Sequence, residues 1–142
     1  RTHFFHIWYI KRNRGGTVGL VKDSYSCPLM LAMDLVGGKW KMVILWHLRN
    51  GTLRFNELRR LMPGITQKML TQQLRELEDS GIINRTVYPV MPPKVEYDLT
   101  DEGKNLIPSL DMLCEWTFAY ADTHGITAAQ TCTVQTCSIR RK

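Results

Sequence analysis

No apolar run in the sequence approaches the roughly 20 residues needed to cross a bilayer, so no membrane-spanning helix is expected. The opening Thr2–Ile10 is aromatic but short, and no cleavage pattern follows it, so it does not read as a signal peptide and the expected compartment is the cytoplasm. Cysteine is sparse: Cys27 and Cys114 stand alone, and Cys132 and Cys137 have four residues between them. The short-spaced ligand pairs of a structural zinc site are therefore missing. Adding His3 and His6 to a cysteine would make a site by counting alone, so no metal is expected. The other histidines, His47 and His124, are scattered, and no serine, cysteine or carboxylate accompanies any histidine at a spacing that suggests a catalytic triad. No catalytic residue and no cofactor are assigned, and the chain is not read as an enzyme.

Acid is also scarce where it matters. Residues 39–94 hold ten Lys/Arg and four Asp/Glu, whereas residues 95–122 hold one Lys and seven Asp/Glu. The net charge of +6 thus conceals a basic centre and an acidic flank. A local cation excess attracts a polyanion and raises its encounter rate. At 142 residues with 44% hydrophobic content, the chain supports one domain with a substantial core.

The most patterned stretch runs from Gly64 to Gly81. Leu70, Leu74 and Leu77 recur at i, i+4 and i+7, which puts one helical stripe against a core. Thr66 reads as its N-cap and Gly81 as its stop. The opposite side carries Lys68, Gln72 and Arg75, with Gln67 and Thr71 toward the edges. Glu76, Glu78 and Asp79 fall in the C-terminal half and would repel phosphate, so the N-terminal half is the expected nucleic-acid end. Upstream, Phe55–Leu61 reads as a short helix burying Phe55, Leu58 and Leu61 or Met62, and Met62–Ile65 forms the turn. Helix, tight turn and donor-rich helix make the arrangement that enters a major groove.

Along the rest of the chain, residues 1–22 show no sustained period and read as an irregular N-terminal extension. The domain proper spans residues 23–122. Pro28 suits the first turn of a helix whose apolar side is Leu29, Ala32, Met33 and Val36, ended by Gly37 and Gly38. Lys39–Asn50 carries Trp40, Val43, Ile44, His47 and Leu48 at helical spacing, with Trp40 as a core anchor, and Thr52–Arg54 can form an edge strand. Past Gly81 the period changes to that of strands. Ile82–Tyr88 and Lys94–Leu99 flank a proline-bearing loop, giving a hairpin directly behind the donor-rich helix, which is the position of a wing. Arg85 and Lys94 can flank a phosphate track or reach toward a minor groove. Thr100 caps a last helix reaching about Ala121, with Pro108 expected to bend it. The apolar residues of that helix cover roughly twice the arc of about 100° that one core requires. A second copy of the chain would cover the excess, through Leu106, Leu110, Leu113 and Phe118, helped by Leu29 and Met33. Residues 123–142 read as a flexible C-terminal tail. The fold class is α+β, a winged helix-turn-helix with flanking N- and C-terminal helices forming a dimer.

The order Cys27-Pro28, Gly37-Gly38-Lys39-Trp40, Arg54-Phe55-Asn56-Glu57-Leu58 and Pro63–Leu77 closely resembles the HxlR-type family of bacterial winged-helix transcription regulators. The match continues through Tyr88-Pro89, Pro92–Tyr97 and Leu99–Gly103, covering about residues 25–121. The resemblance implies a homodimer on a pseudo-palindromic operator in double-stranded DNA, with the helix that begins at Thr66 in each major groove and a wing beside it. It also implies a role for Cys27, because many proteins of this kind sense oxidants or electrophiles through a cysteine at that position. The motif does not name a partner cysteine; Cys114, Cys132 and Cys137 are candidates. A helix start can favour thiolate over thiol, and Lys22 is near in sequence. The resulting expectation is a sequence-specific regulator, a repressor responsive to redox or electrophile stress through Cys27. The alternative is a winged-helix regulator or adaptor without redox sensing, controlled by another ligand or a protein partner. Candidate DNA contacts are Thr66, Gln67, Lys68, Thr71, Gln72, Arg75, Arg85 and Lys94.

Overall fold

The computed structural model describes residues 21–128. Most of the expected N-terminal extension and C-terminal tail, including Cys132 and Cys137, falls outside them. The elements run α1 (Pro28–Val36), α2 (Lys41–Leu48), β1 (Leu53–Arg54), α3 (Phe55–Leu61), α4 (Gln67–Asp79), β2 (Ile83–Tyr88), β3 (Lys94–Leu99) and α5 (Asp101–Thr123). The strands form one antiparallel sheet in the order β1-β3-β2. Register is set by Leu53 opposite Tyr97 on one side of β3, and by Ile83 opposite Leu99 through Tyr88 opposite Lys94 on the other.

The helices begin and end where local chemistry dictates. Thr66 Oγ1 accepts the backbone N–H of Met69 at 3.0 Å, so one of the unpaired donors of the first turn of α4 is satisfied. At the start of α3 the same need is met in reverse, since Glu57 Oε2 accepts the N–H of Arg54 at 2.7 Å. Gly64 and Gly81 take φ of 91° and 72°, left-handed values that let the chain turn sharply into and out of α4. Thr100 has a double role. Its Oγ1 accepts the Gly103 N–H at 3.1 Å to cap α5 and donates toward the Gly81 and Ile82 carbonyls, at 2.7 and 3.0 Å. This ties the start of α5 to the turn after α4. Gly103 completes the junction, because a Cβ there would lie 2.3 Å from the Ile82 carbonyl oxygen. Pro108 lies inside α5.

The core is built from Ile44, Leu45 and Leu48 of α2, Leu58 and Met62 around α3, Leu70, Leu74 and Leu77 of α4, and Ile83, Tyr97 and Leu99 of the hairpin. The predicted stripe of α4 is thus the buried one. Other expected faces shift. On α2 the inward side is Lys41, Ile44, Leu45 and Leu48, while Val43 is exposed and His47 half-buried. Burial, and then the Arg49 charge, lower the basicity of His47. Trp40 is partly buried and packs on the core, and at the end of α3 Met62 is inside while Leu61 is exposed. On α5, Leu110 is only 5% exposed and packs in the chain's own core, with Leu106 partly buried against it, so Leu110 is withdrawn from the expected dimer contact. A wide apolar arc gives no sign of which part faces its own domain.

Lys41 is the one buried charged residue among the described residues, and its ammonium lies 2.7 Å from Glu76 Oε2 on α4. A buried ammonium is tolerated only when a carboxylate and its remaining bonds compensate the lost hydration. Glu76 is consequently a structural brace rather than a loose repulsive charge, and the hydrogen bond from Lys41 holds its carboxyl below the usual carboxylate range. Replacing Glu76 by Leu strands the ammonium and is expected to cost about 3 kcal/mol in urea unfolding. Lys41→Met should cost less, since Glu76 can turn to water, and the double replacement should be close to neutral. Because the folded-state proton affinity of Glu76 is depressed, the unfolded chain takes up the proton first. The pair's contribution is complete above the unfolded carboxylate value of about 4.3 and is lost as pH falls below it through the lower folded value. Unfolding titrated across that acid range should show this component in the wild type and not in the double variant.

Candidate nucleic-acid interface

The side of α4 turned away from Leu70, Leu74 and Leu77 is open to solvent. Gln67, Lys68, Thr71, Gln72 and Arg75 line one shallow depression along it, so five of the eight expected DNA contacts share a surface. All five are exposed. Spacing explains the grouping: positions i, i+4 and i+8 stack on one helical face, with i+1 and i+5 beside them. No acidic side chain lines the depression.

The hydrogen-bonding capacity of each side chain is partly committed. Thr71 Oγ1 donates to the Gln67 carbonyl at 2.8 Å, which leaves its lone pairs as acceptors. Gln72 Nε2 donates to Glu76 Oε1 at 3.1 Å. Thr66 is engaged as the cap of α4, so its first role is to end the turn and fix the direction of the helix. Lys68 and Arg75 supply mobile cations at the two ends of the face. The positive end of the α4 dipole adds to Lys68 near the N-terminus, where a phosphate would be favoured.

The wing is organised differently from expectation. Register and alternation put Arg85, opposite Tyr97, and Lys94, opposite Tyr88, on opposite faces of the β2–β3 ribbon. They do not flank one track. Arg85 is exposed, whereas Lys94 lies 2.8 Å from Glu96 Oε1 and 4.7 Å from the Tyr88 ring centroid. Glu96 also lies 3.9 Å from Arg54 Nε, and its carboxyl is held below the usual range, chiefly by Lys94. The charge of Lys94 is thus partly offset by Glu96 before any phosphate is met. The wing tip instead exposes apolar Val87, Val90 and Met91.

A second basic depression, lined by Asn56, Arg59 and Arg60 of α3, lies outside the expected contacts. Its signal is present as i, i+3 and i+4 spacing on the side of α3 opposite buried Leu58, hidden because a short helix with two arginines looks like ordinary solvated surface. In a helix-turn-helix the first helix crosses the phosphate backbone, which suits two guanidinium groups.

Cys27 is the N-cap of α1, partly exposed and without a side-chain capping bond. Cys114 is partly buried on α5. Of the expected dimer residues, Leu29, Met33 and Leu113 are 72%, 61% and 46% exposed, and Phe118 is half-buried. Met112, Trp116 and Tyr120 are exposed beside Leu113 and form a continuous i, i+4, i+8 stripe. Among the described residues, no group of three or more His, Cys, Asp or Glu side chains could hold a metal ion, and no helix is long and apolar enough to cross a membrane.

Comparison with known proteins agrees with this geometry. An uncharacterised helix-turn-helix-type transcriptional regulator of Methanothermobacter thermautotrophicus is 57% identical over 94 residues, covering 66% of this chain and 72% of that protein. The uncharacterised regulator YtcD of Bacillus subtilis is 53% identical over 110 residues, covering 74% of this chain and 87% of its own length. Among solved structures, the redox regulator HypR in its oxidised form superposes with a TM-score of 0.63 at 50% identity, covering 66% of this chain and 96% of that one. All three are named as regulators. Residues 35–125 match the HxlR-like helix-turn-helix model, and the chain belongs to that family of winged-helix, DNA-binding transcriptional regulators.

Proposed function

We propose that the chain acts as a homodimer on a pseudo-palindromic operator, with α4 of each copy in a major groove, and that it is a repressor whose binding responds to oxidants or electrophiles through Cys27. The observation that carries the DNA reading is the single open face of α4, where Gln67, Lys68, Thr71, Gln72 and Arg75 line one depression that has no acidic side chain in its lining. Amide and hydroxyl groups at the centre of such a face can read base edges, while Arg75 and Lys68 serve backbone phosphates. Arg59 and Arg60 extend the phosphate contact onto α3, and Arg85 extends it onto the wing.

Dimerisation is supported by apolar surface left exposed among the described residues. Leu29, Met30 and Met33 on α1, and Met112, Leu113, Trp116 and Tyr120 on α5, are exposed in numbers unusual for a monomer's helices. Regulation through Cys27 is supported by its position. A modified sulfur at the first turn of α1 would alter how that helix packs, and α1 belongs to the proposed contact. Shifting the contact changes the distance between two recognition helices, which is a coupling between two distinct sites. HypR, named a redox regulator, supports the same reading by analogy.

Titration of duplex DNA from the chain's own promoter region against random duplex, at fixed salt, tests the central claim. Preferential binding that weakens steeply as salt rises is expected. Removing a base-contacting side chain should cost roughly 1 to 3 kcal/mol at one base position, whereas Arg75→Ala or Arg59→Ala should weaken all sequences alike. Equal affinity for promoter and random duplex would end the operator reading. In sedimentation, the wild type should be dimeric at concentrations that saturate DNA. Trp116→Ala or Leu113→Ala should weaken the dimer by about 2 kcal/mol, the scale of a central interface anchor. A wild type that stays monomeric would remove the dimer. Diamide treatment should reduce operator binding by the wild type and leave Cys27→Ser unaffected, with intact mass reporting the modification. Equal losses in both proteins would exclude Cys27 as the sensor.

A further inference from the structure

Three groups on two helices form a relay that ends at the DNA-facing surface. Lys41, buried under α4, holds Glu76 Oε2 at 2.7 Å, and the other carboxylate oxygen, Oε1, accepts from Gln72 Nε2 at 3.1 Å. The Glu76 side chain is 22% exposed and that of Lys41 only 6%, so the carboxylate is anchored from beneath and cannot swing freely. An ionised carboxylate accepts and never donates. The Gln72 amide is therefore held with its NH2 toward Glu76, because the flipped amide would set Oε1 against a carboxylate oxygen. A bond to a charged acceptor is stronger than a neutral one, and it strengthens further when DNA displaces water from the face.

We propose that Lys41 and Glu76 are positioning residues for base recognition: they orient Gln72 so that its carbonyl oxygen Oε1 faces the groove and selects a base presenting an amino donor there. Such bases are adenine, through N6, and cytosine, through N4. Thymine O4 or guanine O6 at the same place would oppose the carbonyl and is disfavoured. The inference rests on the proposed operator reading, in which Gln72 meets a base edge. Neither Lys41 nor Glu76 touches DNA in this account.

The discriminating variant is Glu76→Gln. Lys41 can only donate, so it draws the carbonyl of the amide introduced at position 76. The NH2 of that amide then faces Gln72, accepts no hydrogen bond and donates to Gln72 Oε1. Gln72 is thereby inverted, with its own NH2 toward the groove. Binding is measured on the full-length chain with an operator duplex in which each base pair of a half-site is substituted in turn, beside a thermal melt that checks the fold. The wild type should prefer adenine or cytosine by about tenfold at one position, and Gln72→Ala should flatten that position alone. Glu76→Gln should reverse the preference there toward thymine or guanine while the other positions keep theirs. A structural role for Glu76 would lower affinity at every position and reverse none. Should Glu76→Gln fail to fold, the Lys41→Met/Glu76→Met pair removes both charges together and leaves Gln72 free, so the preference should disappear. Gln72→Ala flattening a position whose preference is unchanged in both Glu76 variants would overturn the orientation and leave operator binding intact. A wild type with no base preference anywhere would remove both.

Discussion

The buried ammonium of Lys41 constrains more of this molecule than any other single group. It sits where α2 meets α4, and its burial is acceptable only while Glu76 is in place. Two helices are thus fixed relative to one another in rotation as well as distance, because a leucine contact tolerates sliding and an ion pair with a hydrogen-bonded carboxylate does not. Leu70, Leu74 and Leu77 supply the cohesion that holds α4 down. Their burial sets which side of α4 faces solvent, and the Lys41–Glu76 pair braces that setting from beneath. The row from Gln67 to Arg75 owes its common orientation to this combination.

Periodicity alone makes much of α4 legible. Its stripe, its Thr66 cap, its Gly81 stop and the grouping of five donor-rich side chains all follow from spacing and local chemistry. The hairpin is equally readable, since alternation and prolines mark strands and turn with little ambiguity. Lys41 is not readable, because a lysine at a helix start resembles any solvated lysine until the distant Glu76 is brought over it by the turn through Gly64. The same limit applies to the contact of Lys94 with the Tyr88 ring, which depends on strand register, whereas Glu96 shares its face by simple alternation. Leu110 is misassigned for a related reason. A helix apolar over a wide arc serves two surfaces, and only the packing of α5 against α2 and β3 tells which residues serve the inner one.

The uncovered apolar surface has a consistent distribution. α1 buries only Val36 among its residues, although nearly every position in it is apolar. An isolated nine-residue helix is marginal in water, so α1 gains little from propensity alone and needs packing to persist. Tyr25 gives it a local tie, donating its hydroxyl to Asp34 Oδ2 at 2.6 Å. The exposed stripe of α5 is the same kind of surface on a longer element. Joining two copies through both, as proposed, would bury in one step what the described residues of one domain leave exposed.

The recognition surface is rigidly tied to the core through α2, through the Gly81–Thr100–Gly103 junction and through the hairpin, whose β2 packs on α4. Among the described residues α1 meets the core mainly through Val36 and Leu35, a narrower connection than these. In the proposed dimer, a change at Cys27 would therefore act more readily on the placement of one domain relative to its partner than on the shape of either reading face. In the proposed dimer, sequence preference and regulation would then reside in different parts of the chain: the bases read would depend on α4 and what lies beneath it, and the spacing between half-sites on α1 and α5. A regulator divided in this way can change its inducer through the flanking helices without altering which bases it reads.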